Sequence, residues 1–301
     1  MSSAINPGGN AGAVVDLTEL NRSLRRPRSF VNFLFLGVTA VLTLSALLPL
    51  FSVIYMLVVR GMGRLSFSTF TMPSGELEGA FGNAIVGTLV IVVIATVISV
   101  PIGVMAAVFL AEIGPDTKLA SAVRFAAKTL SGYPSILAGV VAYGVLVVVI
   151  GVSAISGAAA LSLLMLPTII LTSEEAIRMV PARIREAAIG MGATRAQTVL
   201  RVMLPTALPG ILTGVMLSVA RAAGETAPLL FTASFNDYWP ISGEGVSLNE
   251  PTASLAVFIY NYSRLATSAQ REIAWGAALV LVALVLATNL IGQSLSRSTT
   301  R

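Results

Sequence analysis

The stretch 174-EEAIRMVPARIREAAIGMGATRAQTVLRVMLPTALPGI-211 is a charged island between two apolar runs. Pro181 suits the first turn of a helix, where its missing N–H costs nothing. Residues 182–190 then read as one short helix. Gly190 and Gly192 end it, because glycine accepts the left-handed conformation of a helix C-terminus. Thr194 caps a second helix, which runs through Leu204 and Pro205 into the next apolar run. The short helix is small on one side, at Ala187, Ala188 and Gly190, which permits close approach by another protein's surface. An ordinary amphipathic surface helix is the alternative, and the local chemistry leaves both open.

On either side of this island the charges are sparse. Only 11% of the 301 residues are charged and 55% are hydrophobic, against about 25% charged in an ordinary soluble domain. Mean hydropathy is +0.87. The uncharged runs number 31 residues between Arg28 and Arg60, 33 between Glu78 and Glu112, 45 between Lys128 and Glu174, and 24 between Glu272 and Arg297. A bilayer core needs about 20 apolar residues per helix. The run of 45 contains the Gly/Ser-rich turn 151-GVSAISGAA-159 and divides in two there. The run from Arg201 to Asp237 is broken only by Arg221 and Glu225. The expectation is an all-α membrane protein with six transmembrane helices near 30–59, 80–111, 129–150, 158–173, 202–231 and 273–296. Together they make one transmembrane domain over 29–296.

Orientation follows from the basic residues. Fourteen of the nineteen Arg and Lys fall on one side of the six spans, and four (Arg60, Arg64, Arg264, Arg271) on the other. The positive-inside rule places both termini in the cytoplasm. Residues 1–28 then form a cytoplasmic tail, 178–201 a cytoplasmic loop and 297–301 a cytoplasmic end. The start, polar and closing on 22-RSLRRPR-28, does not have the form of a cleaved signal peptide. The outer loop 232–271 contains 254-SLAVFIYNYS-263, which is too short to span and reads as a re-entrant or interfacial segment.

Arg221 and Glu225 are the exception to the charge pattern. Burying an Arg at a bilayer centre costs about 2.5–3.5 kcal/mol on insertion scales, so such residues face protein or water. At 100° per residue, Gly210, Gly214, Leu217, Arg221, Glu225 and Pro228 lie within about 60–80° of one another on a continuous helix. Gly210 and Gly214 form a G-x-x-x-G that admits a neighbouring helix. Arg221 and Glu225 are four residues apart and pair on that stripe. One reading is an ion pair that fixes helix packing. The other is a guanidinium offered to a permeating oxyanion, which it matches bidentately, with Glu225 tempering the site.

The spacing of the island carries a resemblance. Glu186-Ala187-Ala188, three residues, Gly192, nine residues, then Val202-Met203-Leu204-Pro205 resembles the EAA loop of ABC importer permeases, with Val202 in place of Ile. That resemblance implies a type I importer (MetI-like) permease fold. It also implies a coupling helix, with Glu186, Ala187, Ala188 and Gly192 docking on a separate ATPase. A narrower resemblance covers roughly 80–296. The segments 221-RAAGETAPLLF-231, 131-SGYPSILAG-139, 174-EEAIRMVPARIREAAIGMGATRAQT-198 and 82-GNAIVGTLVIVVIATVISVPIGVMAAVFLAEI-113 are similar to those of PstA-type permeases of phosphate-specific ABC importers. The PstC-type sister typically continues G-E-T-M where this chain has G-E-T-A-P-L-L. The resemblance implies a PstC-type permease partner, a PstB-type ATPase pair holding ATP and Mg, a PstS-type phosphate-binding protein and phosphate as cargo. Arg221 and Glu225 match the family's charged pore positions.

Other classes fit poorly. There is no Cys and no His, which removes thiolate chemistry and the Ser–His type of intramembrane protease. The three Asp, at 16, 116 and 237, all lie in tails or loops, against an aspartyl type. A secondary transporter needs coupling-ion carboxylates in several helices, and only Glu225 lies within a span. No G-x-x-x-x-G-K-S/T loop occurs, so the expectation is a non-catalytic subunit that binds no nucleotide. A permease for another solute in the same class remains open, because the EAA loop is shared by importers of many solutes.

Overall fold

The computed structural model describes residues 27–242 and 245–298. The expected tail 1–28 falls outside them up to residue 26, and the expected end 297–301 falls outside them from residue 299. Helices dominate the described residues. They are α1 (Pro27–Met62), α2 (Phe67–Thr71), α3 (Gly82–Ile113), α4 (Lys118–Ser131), α5 (Ser135–Ile150), α6 (Ala154–Arg178), α7 (Ala182–Gly190), α8 (Arg195–Ala223), α9 (Ala227–Thr232), α10 (Leu255–Ser263) and α11 (Ser268–Ser298). The exception is a two-residue antiparallel pair, β1 (Ile241–Ser242) with β2 (Gly245–Val246). Five helices are long and apolar enough to cross a membrane, and α4 with α5, bent by 110°, makes a sixth when counted as one span.

The chain divides into two compact units at Tyr55, within α1. The first is apolar α1 up to that residue. The second begins at Met56 and contains everything else. Inside it α3 and α6 lie side by side and run the same way: Ser162 Oγ donates to Ala95 O at 3.2 Å as well as to its own helix at Ala158 O. Their facing residues Ile91, Ala95, Ala158, Leu161, Met165 and Ile169 form the centre of the core. Small residues at 95 and 158 let the two backbones approach closely.

α8 packs antiparallel on α6 through the predicted G-x-x-x-G. A Cβ on Gly210 would lie 2.7 Å from Ala176 Cβ, and one on Gly214 would lie 2.0 Å from Thr172 Oγ1. No larger residue fits at Gly214 without moving α6. A second cluster, built on Phe81, Leu255, Phe258, Ile273 and Ala277, ties α10 and α11 to the start of α3. The segment 254–263 is thus a short helix whose first turn is buried protein core, anchored by Leu255 N–H donating to Thr88 Oγ1 at 2.8 Å.

Three elements differ from the charge-based expectation. The basic segment read as a loop before 129 is the amphipathic helix α4, capped by Thr117, whose side chain accepts from Ala120 N–H. Its Lys118, Arg124 and Lys128 share a helix with Ala120 and Ala127, which are buried. α6 runs from Ala154, beyond the expected 158–173, because Ser153 caps it and Glu174 stays inside the helix. The expected 202–231 helix is broken. α8 ends at Ala223 and α9 begins at Ala227, since Pro228 lacks an N–H and disfavours helix just before it.

Candidate functional site

α7 and its flanks are built by local punctuation. Pro181 takes the position before the first helical residue, with φ −58° and ψ 135°. The C-terminus closes with Met191 N–H on Ala187 O and Ala193 N–H on Ala188 O, while Gly192 adopts φ +88°. Only glycine takes that conformation at little cost. Thr194 and Gln197 then form a capping box, each side chain bonding the other's backbone N–H.

The result is a one-sided platform. Ala188 is buried, whereas Glu186 and Ala187 are exposed. Ile189 and Met191 also stand in the open, Met191 at 83%. A shallow cleft of about 270 Å³ lies beside them, lined by Ala188, Met191, Gly192, Ala193, Gln197, Arg201 and Val202. Three of the four coupling candidates, Glu186, Ala187 and Gly192, are exposed together, and Ala188 faces inward.

An ionic cluster joins this platform to the bundle, and the sequence reading missed it. Arg185 of α7 pairs with Glu112, whose side chain is only 8% exposed. Arg124 of α4 donates to Glu174 at 2.7 Å, to Pro115 O at 2.9 Å and to Leu110 O at 2.7 Å. Glu174 also receives Arg178 at 2.9 Å and is buried. The expected span 158–173 leaves Glu174 and Glu175 just outside the membrane helix. Glu174 is instead a core residue, flanked by buried Ser173, Ala176 and Ile177. Its partner Arg124 stands 50 residues away, so no local pattern reveals the pair. A carboxylate directly following a long apolar run was the available signal, since such a charge, when buried, demands a partner.

Arg221 and Glu225 sit at the break between α8 and α9. Gly224 and Glu225 N–H close the last turn of α8 on Arg221 O and Ala222 O, and Pro228 is buried against α5, where a Cβ on Gly139 would meet Pro228 Cα at 2.7 Å. Arg221 Nε lies 3.4 Å from Glu225 Oε1, with Arg221 50% and Glu225 16% exposed. The contact is long for a charge-assisted hydrogen bond. It leaves much of the guanidinium uncommitted. Arg221 shares an open face of α8 with Thr213, Leu217 and Gly224, all exposed. Glu225 and Pro228 lie past the helix end, so the expected continuous stripe stops at Arg221.

Among the described residues no three His, Cys, Asp or Glu cluster to hold a metal ion.

Residues 99–301 match the model of the binding-protein-dependent transport system inner membrane components. The chain belongs to this family. As such a component it is a multi-pass membrane permease subunit. Its relatives include the phosphate transport system permease protein PstA of Haemophilus influenzae, 36% identical over 86% of this chain and 91% of that one. Another is the probable phosphate transport system permease protein PstA of Methanocaldococcus jannaschii, 37% identical over 84% and 89%. Among solved structures, the inward-facing MetNI methionine ABC transporter aligns at a TM-score of 0.58 with 23% identity, over 73% of this chain and 94% of that one. A bacterial alginate ABC transporter aligns at 0.60 with 18% identity, over 94% and 99%. The fold is therefore that of the MetI-like importer permeases.

Proposed function

We propose that this family member is the PstA-type half of the pore of an ATP-driven phosphate importer. The observation that carries the reading is the Arg221 guanidinium, half exposed on an open face of α8 at a helix break and held only loosely by Glu225. A guanidinium so placed offers paired N–H donors to a tetrahedral oxyanion. Glu225 gives Arg221 a partner between transport events and weakens anion retention, so cargo is released. The names of the curated relatives support phosphate as that oxyanion.

The remaining parts follow from the same reading. The open face of α8 meets a PstC-type permease and lines the pore. The α7 platform, with Glu186, Ala187 and Gly192 outward, lies in the cytoplasm and docks on a PstB-type ATPase, which holds ATP and Mg. A PstS-type protein delivers phosphate on the opposite side. This chain binds no nucleotide and is not itself an enzyme.

Labelled-phosphate uptake by the whole complex in vesicles tests the cargo. Uptake that unlabelled phosphate competes away and a tenfold excess of another oxyanion leaves intact supports the reading. A wild-type complex that hydrolyses ATP in response to a different solute, and takes up no phosphate, makes the chain an importer permease for that solute.

A further inference from the structure

We propose that Arg185 and Glu112 form the mechanical linkage through which movement of α7 reaches the transmembrane core. They are positioning residues for transport. This rests on the reading of α7 as the element that an ATPase displaces.

The chain connections of α7 transmit force poorly. Upstream, Met179, Val180 and Pro181 are non-helical; downstream lies the turn at Gly192, with φ +88°. The side-chain connection is direct. Arg185, at the middle of α7, pairs with Glu112 at the end of α3. The Glu112 side chain is only 8% exposed, and Arg185 is its one cationic partner among the described ion pairs. Separating them would strand a buried carboxylate, so α3 follows α7 instead.

The far side of the linkage is equally anchored. Glu112 lies in a π-helical turn, Phe109–Ile113, and Arg124 donates to the backbone on either side of Glu112, at Leu110 O within the turn and at Pro115 O beyond it. Through Glu174 the same guanidinium reaches α6. Displacement of α7 is thereby delivered to α3 and α6, the two helices at the core's centre. π turns often mark functional sites within helices; two more occur among the described residues, Tyr143–Val147 in α5 and Val199–Met203 in the second turn of α8, which follows α7. Arg185 Nε is buried without an acceptor, so the guanidinium has capacity for a further bond when α7 shifts.

The test uses the assembled complex with cysteine-free partners and a single reporter. Leu217→Cys places a thiol on the open face of α8, in a chain that has no other cysteine. Its labelling rate by a hydrophilic maleimide is measured with and without ATP, Mg and vanadate. We expect Arg185→Glu or Glu112→Arg alone to reduce the ATP-dependent change by at least about fivefold, a typical coupling factor between sites. The double exchange, Glu112→Arg with Arg185→Glu, restores it. Unaltered single variants overturn the proposal. So does an assembled double exchange that remains unresponsive, or single variants that fail to assemble, which would make the pair an assembly contact. A wild-type complex that shows the ATP-dependent change yet imports no phosphate refutes the cargo and leaves the linkage standing.

Discussion

Arg124→Ala is expected to destabilise the bundle far more than Arg178→Ala, although both arginines bond the same carboxylate. Arg124 makes three charge-assisted contacts and is mostly buried, at 22% exposure, against Glu174 at 7%. Removing one partner of a buried pair costs about 3–5 kcal/mol. Glu174 keeps Arg178, which draws the figure to the lower end. Losing the donor to Leu110 O and Pro115 O adds roughly 1 kcal/mol per lost bond where those carbonyls are not rehydrated. About 3–5 kcal/mol is the net expectation, according to how far those carbonyls rehydrate. Arg178 is an exposed partner four residues from Glu174 on the same helix, and pairs of that kind contribute about 0.3–0.5 kcal/mol. The assay is the temperature at which half of the purified complex leaves its monodisperse size-exclusion peak. Arg124→Ala lowers that midpoint by several degrees, while Arg178→Ala leaves it within about a degree. Arg124→Ala with Glu174→Ala removes the stranded charge and recovers much of the loss. Equal midpoints for the two single variants, or a double variant worse than either, would refute the reasoning.

Three further outcomes are expected. Gly192→Ala forces a left-handed residue at a cost of about 1–2 kcal/mol, whereas Gly190→Ala, with open space around it, is neutral or stabilising; faster tryptic cleavage at Arg195 in the first variant alone checks this. Gly214→Ala drives a methyl to within 2.0 Å of Thr172 Oγ1 and costs about 1–3 kcal/mol by overpacking. Thr172→Gly in the same chain relieves it, as the yield of intact complex would register. Glu186→Lys reverses an exposed charge on the α7 platform, so membrane insertion stays normal while transport per ATP hydrolysed falls by about tenfold or more, a disrupted coupling of ~1–3 kcal/mol; undiminished transport would remove Glu186 from the docking surface.

What was legible in the sequence was local or periodic. Long uncharged runs mark the spans, because a bilayer excludes charge over a fixed length. Pro181, Gly192 and Thr194 mark the bounds of α7, because each has a particular backbone or capping role. Gly210 and Gly214 mark a close helix contact, which α8 makes on α6. What escaped depended on distant partners. Glu174 looks like a helix-end charge until Arg124 is brought against it from α4, and Arg185 with Glu112 joins residues 73 apart. The break in the 202–231 helix had a local signal, Gly224 and Pro228, which the apolar residues on either side of Arg221 and Glu225 outweighed. That break changes the site: Arg221 ends a helix and Glu225 lies in the turn beyond it, so their relation is set by a turn and not by helical phase.

The central claim is that Arg221 serves the cargo and does more than lock the fold. Labelled-phosphate uptake by vesicles carrying the whole complex tests it most directly, with wild type compared against Arg221→Gln and Glu225→Gln at equal amounts of assembled complex. The account predicts that Arg221→Gln assembles normally and loses uptake by at least about tenfold, the equivalent of one lost charge-assisted contact of roughly 1.5–3 kcal/mol. Glu225→Gln, which keeps the guanidinium, retains measurable phosphate entry. Full uptake with Arg221→Gln, or a loss that tracks failed assembly alone, would contradict it.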